Sequence, residues 1–367
     1  MSSDVILIVV IVTAVAFDFT NGFHDTATAV ATAISTRALP PRVAVLGAAL
    51  LNFAGAFLSL KVAATVGKGF VSTGAVSGTV VFAGLVGAIC GNLITWYYGL
   101  PSSSSHALIG GLVGAVLASA GSSAVSAGGL FGKLILPAVI APLVAFLIAG
   151  TGIVIIYLVV GRMRPGPVSR GFRLGQLLSG GALALSHGTN DAQKTMGVIT
   201  LALVANGDIS AQHFHVPVWV VVLGASAIGL GTFSGGWRII RTMGSRIIKM
   251  DPAQGFAAQS ASAGVILTAS ALGYPLSTTH VISGAVMGAG AAKRVSAVRW
   301  GVAGDIVRAW LLTLPAAALL SAAVYGLESL FGSGATGALV IAVVLLAIIA
   351  AVFVKRLQEP APAPSVS

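Results

Sequence analysis

Thr20-Asn21-Gly22-Phe23-His24-Asp25, near the N-terminus, returns in altered form as Ser186-His187-Gly188-Thr189-Asn190-Asp191. A second pair follows in the same order. Gly99-Leu100-Pro101-Ser102-Ser103-Ser104-Ser105-His106 is matched by Gly273-Tyr274-Pro275-Leu276-Ser277-Thr278-Thr279-His280. The offsets are 166 and 174 residues, so four polar motifs form two matched pairs within a short insertion of one another. The chain is therefore a duplication, and each copy carries one acid-bearing motif and one hydroxyl-rich motif.

The background to these motifs is apolar. Of 367 residues, 56% are hydrophobic and 8% charged, against about a quarter charged in an ordinary soluble domain. Too few charges remain to cover a water-facing surface, so the solvent expected is lipid. The 47 glycines agree, since small residues let membrane helices approach closely. The net charge of +11 does not indicate nucleic acid, because the basic residues stand singly or in small groups between apolar runs. The single cysteine, Cys90, allows no intrachain disulfide. Val5–Phe17 lacks a preceding basic residue and reads as a first span instead of a cleaved signal.

Apolar stretches over 4–35, 43–60, 78–98, 104–119 and 131–160 make up the first half. Those over 175–204, 217–236, 255–272, 275–292 and 301–325 make up the second, with a further span near 336–354. The expected fold class is an all-α integral membrane protein of about 10–12 transmembrane helices. Residues 1–160 form the first repeat, 161–174 a basic cytoplasmic connection and 175–326 the second repeat; the proline-rich 359–367 is a disordered tail. With the N-terminus outside and one crossing per stretch, the inner connections hold fifteen basic residues and the outer ones three, Lys61, Lys68 and Lys133. That bias supports the orientation. Five crossings per half is an odd number, which turns the second half upside down: an inverted-topology repeat.

A helix over 4–35 would be about 48 Å long, against a hydrocarbon layer of about 30 Å. A break at Asn21–Asp25, and another at His187–Asp191, is expected to resolve the mismatch and to place polar backbone at the midplane. A carboxylate there costs about 2.5–3.5 kcal/mol. Only nine acidic residues exist, so two at equivalent positions need a reason. Asp18 and Asp305 also fall within spans but lack that pairing, and each has a base such as Arg308 as an expected partner.

The hydroxyl runs read as an anion site. Each opens a short apolar helix behind a proline, whose missing N–H costs nothing there. Unpaired N–H groups and the partial positive charge of a helix start favour an anion, and Ser103, Ser104, Ser105, Ser277, Thr278 and Thr279 add donors without fixed charge. A single run of this kind is usually an N-cap; its duplication points instead to two helix ends converging on a tetrahedral oxyanion. His106 and His280 close the runs and, like His24 and His187, are read either as structural imidazoles or as a proton relay or substrate contact. Lys194, whose counterpart is Thr28, either contacts the anion or neutralises Asp191.

These motifs resemble those of the inorganic phosphate transporter family of low-affinity phosphate permeases and sodium–phosphate symporters. The matching elements are Thr20–Thr26 with Ser35–Leu39, His187–Lys194 with Met196 and Gly197, and both proline–hydroxyl–histidine runs. The resemblance covers nearly the whole chain. It implies a symporter of the cell membrane, commonly a homodimer, importing phosphate by alternating access between its halves, with no enzymatic activity and no cofactor. It also implies that Asn190, Lys194 and the hydroxyl runs hold phosphate, and that Asn21, Asp25, Thr28 and Asp191 form the cation site. Family members usually carry asparagine where this chain has Thr28. Phosphate carries about one to two negative charges near neutral pH, and Asp25 and Asp191 add two more. One lysine cannot balance that excess in a low-dielectric site, so sodium or protons must enter with the anion, sodium suiting the hard oxygens of Asp25 and Asp191. The alternative cargo is sulfate or another oxyanion. A metal-ion carrier leaves the hydroxyl runs unexplained, and a serine hydrolase lacks a Gly-x-Ser-x-Gly element.

Overall fold

A computed structural model describes residues 2–332 and 335–358. Among these, every regular element is helical. The first half contains α1 (Ser2–Ser35), α2 (Pro41–Gly55), α3 (Lys61–Lys68), α4 (Gly78–Tyr98), α5 (Ser104–Ala120), α6 (Ala127–Leu130) and α7 (Leu136–Val160). The second contains α8 (Pro165–Asn206), α9 (Val218–Ser234), α10 (Trp237–Arg241), α11 (Pro252–Leu272), α12 (Thr278–Lys293) and α13 (Trp300–Ser329). Helix α14 (Ala335–Gln358) follows, covering the expected last span. The proposed tail at 359–367 lies outside the described residues.

The two halves exchange partners. α5 packs on α13 while its counterpart α12 packs on α7; α1 packs on α9 while α8 packs on α2. Matched glycines permit the last two approaches. A Cβ at Gly22 would stand 2.4 Å from the Ile228 carbonyl oxygen, and one at Gly188 would stand 2.1 Å from that of Asn52. Gly188→Ala is therefore expected to push α8 off α2 and to cost about 1–3 kcal/mol. A thermal-stability measurement on the purified protein checks this; an unchanged melting temperature would contradict the contact.

Buried apolar side chains gather into two large cores. α1 supplies Val10, Ala14 and Phe17 to the first and Ala27, Val30 and Ala31 to the second. α8 crosses them in the opposite order, giving Leu183 and Ala184 to the second core and Ala192, Met196 and Ile199 to the first. The two helices that carry the acidic motifs thus run antiparallel through the same cores. Between the cores lies a belt of buried polar residues, Asp18–Thr26 on α1 and Ser186–Thr195 on α8, which is where both acidic motifs fall.

The backbone breaks are not where the sequence suggests. α1 and α8 are continuous through Asn21–Asp25 and His187–Asp191. Most of the polar side chains there are bonded by neighbouring elements, so they find partners without an opened backbone, and Thr26 and Thr28 add hydroxyl bonds to the Gly22 and Asp25 carbonyls. The excess length of α8 is taken up at its exposed start, which makes most of the basic 161–174 connection helical. The breaks lie instead at the hydroxyl runs. α4 and α5 are joined at a tip over 99–103, and α11 and α12 at a tip over 273–277. Gly99 and Gly273 end the incoming helices at φ 67° and 82°, conformations that disfavour any side chain.

Each of these pairs is a helical hairpin. The first is closed at its open end by the Val71–Val125 bridge and the second by the Arg299 N–H to Ile247 carbonyl bond, while both tips are buried. Ser105, leading out of the first tip, donates to the Leu276 carbonyl in the second at 2.8 Å, so the tips meet. Within these hairpins α4 and α11, each of 21 residues, are long and apolar enough to span a bilayer, while α5 and α12 are shorter, at 17 and 16 residues. Among the described residues, five helices are long and apolar enough to span a bilayer, or six if the α9–α10 pair, bent by 61°, counts as one. This is fewer than the expected 10–12, because α2, α5 and α12 are short, at 15, 17 and 16 residues, and polar residues lower the hydropathy of α8.

At the open end of the second hairpin, Asp251 caps α11 and accepts a 2.6 Å bond from Tyr157 Oη and a 3.1 Å bond from Lys293 Nζ. Burial alone would raise its carboxyl, but these donors and the Gln254 N–H hold it below the usual value. A depressed pKa contributes stability above the unfolded value that is lost as pH falls through the folded one. Asp251→Asn is expected to flatten the acid limb of a stability–pH profile; an identical limb in both proteins would rule the latch out.

Candidate functional site

The belt between the cores brings both acidic motifs and both hairpin tips together. Asp25 accepts a 3.0 Å bond at Oδ2 from Ser104 Oγ of the first hairpin and a 3.3 Å bond at Oδ1 from Thr279 Oγ1 of the second. His24 Nδ1 lies 2.5 Å from Asp25 Oδ1, and its Nε2 lies 3.2 Å from both Thr95 Oγ1 and Ser102 Oγ. Asp191 accepts a 2.6 Å bond at Oδ1 from Lys194 Nζ and a 3.3 Å bond at Oδ2 from Thr278 Oγ1. Its Oδ2 is 3.4 Å from His187 Nε2. One ligand atom each from Asp25, His187 and Asp191 can be chosen so that all lie within 4.8 Å of one another.

Lys194 is 1% exposed, and its ammonium has three acceptors: Asp191, Ser105 Oγ at 2.5 Å and the Leu276 carbonyl at 2.8 Å. A buried cation requires such full satisfaction. It therefore ties α8 to both tips. The asymmetry noted at Thr28 has a structural counterpart, since Thr28 donates to its own helix backbone, at Asp25 O.

The remaining predicted residues divide. Ser103 and Ser277 act as N-caps, accepting from the His106 and His280 N–H groups at 3.1 and 3.3 Å. Asn190 donates to Ser270 Oγ at 2.8 Å and to the Tyr274 carbonyl at 3.1 Å, holding the second tip, while its Oδ1 is buried with no hydrogen-bond partner among the described residues. Both polar atoms of Asn21 are in the same condition. His106 and His280 face each other with ring centroids 4.9 Å apart, and His280 stacks on Trp310 at 4.0 Å. They sit together between the hairpins and, among the described residues, bond neither acid. Arg308 pairs with Asp305 on the surface, at 2.9 Å, and leaves Asp18 aside.

Two contributors lie outside every motif, and a third, Leu276, acts through its backbone from within one. Asn52 on α2 joins His187 Nδ1 at 3.2 Å to Thr232 Oγ1 at 2.8 Å. Its signal is its place as the lone polar side chain in the apolar run Val43–Gly55. Thr95 bonds the Ser102–His24 pair, and the Leu276 carbonyl accepts from Lys194 and Ser105. A backbone acceptor leaves no trace in residue type. The arrangement offers two carboxylates and an imidazole for cations, and two helix starts with a lysine for an anion.

Comparison with known proteins places the chain among transporters. The family model described as the phosphate transporter family matches residues 21–167 and 161–321. A probable low-affinity inorganic phosphate transporter of Mycobacterium bovis is 50% identical over 355 residues, covering 97% of this chain and 85% of that one. One of Rhizobium meliloti is 50% identical over 321 residues, covering 87% and 96%. A solved structure, described as the sodium-dependent phosphate transporter, superposes with a TM-score of 0.82 at 27% identity, covering 89% of this chain and 99% of that one. These matches, with the apolar helices and the paired motifs between them, identify a multi-pass membrane protein that is a transporter and not an enzyme, and the chain belongs to the phosphate transporter family.

Proposed function

We propose that this protein imports inorganic phosphate by sodium symport through alternating access. The observation that carries this reading is the junction of Asp25 and Asp191 with hydroxyls from both hairpin tips. Sodium at Asp25 and Asp191 neutralises charge that would otherwise repel the anion. Ser104, Thr278 and Thr279 then turn from the carboxylates to phosphate, joined by Ser105 and the N–H groups at the starts of α5 and α12, with Lys194 as the fixed positive charge. Sodium, in preference to protons, is supported by the hydroxyl oxygens gathered around the carboxylates. The solved relative, a sodium-dependent phosphate transporter, supports it too.

The two halves are read as inverted repeats. α1, the α2–α3 pair and α7 make three crossings, and the hairpin, which starts and ends on one side, leaves the count per half odd. The opposite order in which α1 and α8 traverse the cores supports the same reading. Hairpins closed at opposite ends and touching at their tips are two gates on one site. Parting the first tip opens the site to one side, and parting the second opens it to the other. The basic bias of the connections supports an outside N-terminus and a cytoplasmic side bearing the 161–174 region.

The direct test is uptake of labelled phosphate into proteoliposomes with an imposed sodium gradient, beside an imposed pH gradient, each with and without excess sulfate. Sodium-driven uptake that sulfate leaves intact is expected. Uptake driven by the pH gradient alone would overturn sodium coupling, and full competition by sulfate would overturn the substrate. Ser104→Ala and Thr278→Ala are each expected to weaken phosphate binding about tenfold, and the double variant more than either, since each removes a bond to a charged group. Phosphate-binding calorimetry that returns wild-type affinity for the double variant would remove the hydroxyls from the site.

A further inference from the structure

Asp18 is 0% exposed, and neither carboxylate oxygen has a hydrogen-bond partner among the described residues. The Asn21 and Thr195 side chains face it as donors from beyond ordinary hydrogen-bond length, and Asp191 and Lys194 lie within electrostatic reach. Asn21 and Thr195 are also 0% exposed, and their polar side-chain atoms are unbonded too. Thr195 is the informative member. Several buried threonines in helices here return the hydroxyl to a carbonyl three or four residues back: Thr26 to Gly22, Thr28 to Asp25, Thr200 to Met196 and Thr313 to Ala309; others, Thr278 and Thr279, turn it to a carboxylate of the site. Thr195 Oγ1 is held out of that default bond. Three side chains thus bring oxygen atoms to one buried spot, and a carboxylate there without a counter-charge carries a large desolvation cost.

We propose that Asp18, Asn21 and Thr195 form a second cation site, for sodium, separate from the Asp25–Asp191 pair. The proposal rests on the symport reading and extends it. Seven residues along α1 place Asp18 about 10 Å from Asp25 along the helix axis, too far for one ion to bridge both. The donors are carboxylate, amide and hydroxyl oxygens, a hard set with no imidazole or sulfur, which suits an alkali cation over a transition metal. The site joins α1 to α8, the helices that carry the two acidic motifs, so its occupancy bears on their spacing. It also lies on one side of the repeat only. The positions equivalent to Asp18 and Thr195 are Ala184 and Ala29, so the second half has no such site. Asn21, between Asp18 and Asp25 on the same face of α1, stands where it can sense both ions.

Equilibrium binding of radioactive sodium to the purified, phosphate-free protein tests this apart from transport. Asp18→Asn is expected to lose one bound sodium per chain and keep the one assigned to Asp25 and Asp191. Thr195→Val, which preserves shape and removes the oxygen, is expected to weaken that same sodium about tenfold. In proteoliposomes, the sodium concentration for half-maximal phosphate uptake rises in both variants, and the Hill coefficient for sodium falls from about two towards one. Unchanged sodium binding in both variants overturns the site, as does a shift confined to the pH profile of uptake, which would make Asp18 a proton carrier. If Asp18→Asn does not fold, Thr195→Val decides alone. Wild-type protein that binds two sodium ions but carries no phosphate would sink the symport reading and leave this site standing.

Discussion

Asp25→Asn and Asp191→Asn are each expected to lower gradient-driven phosphate uptake by about a hundredfold or more while leaving folded protein in the membrane. Each carboxylate supplies a cation with its counter-charge, and the barrier to be lowered is electrostatic. An anion approaching a low-dielectric belt that contains one lysine needs the coupling ions to be present first. Asparagine keeps the size and one acceptor oxygen, so Ser104 and Thr279, or Thr278 and Lys194, retain a partner. A loss of about 2.7 kcal/mol in ion binding corresponds to a hundredfold. Asp25→Asn is the cleaner of the two, because its carboxylate has no ammonium partner and the change strands no buried lysine. Uptake by both variants at wild-type rate, measured on matched amounts of reconstituted protein, would remove the acids from the mechanism.

The second large effect is at Lys194. Replacement by methionine preserves length and removes the ammonium that bonds Asp191, Ser105 and the Leu276 carbonyl. Asp191 is then a buried carboxylate without its cation, and breaking such a pair from one side costs about 3–5 kcal/mol. Both hairpin tips also lose their common tie to α8. A markedly lower melting temperature and no measurable uptake are expected. The double variant Lys194→Met with Asp191→Asn should recover much of the stability, since no unpaired charge remains, and none of the transport. Equal stability of single and double variants would show that the ion pair does not carry the loss.

Much of the site is readable in the chain itself. The matched pairs at Asp25 and Asp191, and at His106 and His280, identify the halves, the acids and the hydroxyl runs that meet them. The helix break expected at Asn21–Asp25 does not form: length and polarity suggest an open backbone, but most of the polar side chains find partners on neighbouring elements and α1 stays closed. The proline–hydroxyl runs hold the real breaks, marked by proline and by glycine at positive φ. Asn52 stands out as a lone polar residue in an apolar helix, yet nothing in its neighbourhood along the chain ties it to His187. Thr95 and Thr195 look like any other hydroxyl in a membrane helix.

Sequence alone determined what periodicity and composition control: a lipid-facing helical chain and the paired acid-bearing and hydroxyl-rich motifs placed along it. Helical spacing is a local property, so it can be counted along the chain. Tertiary structure alone decided which tip bonds which acid, that Lys194 spans both hairpins, and that Asp18 meets Thr195 from a helix about 180 residues away. Those pairings depend on how helices cross in space, and a chain position carries no record of the partner that packing brings to it.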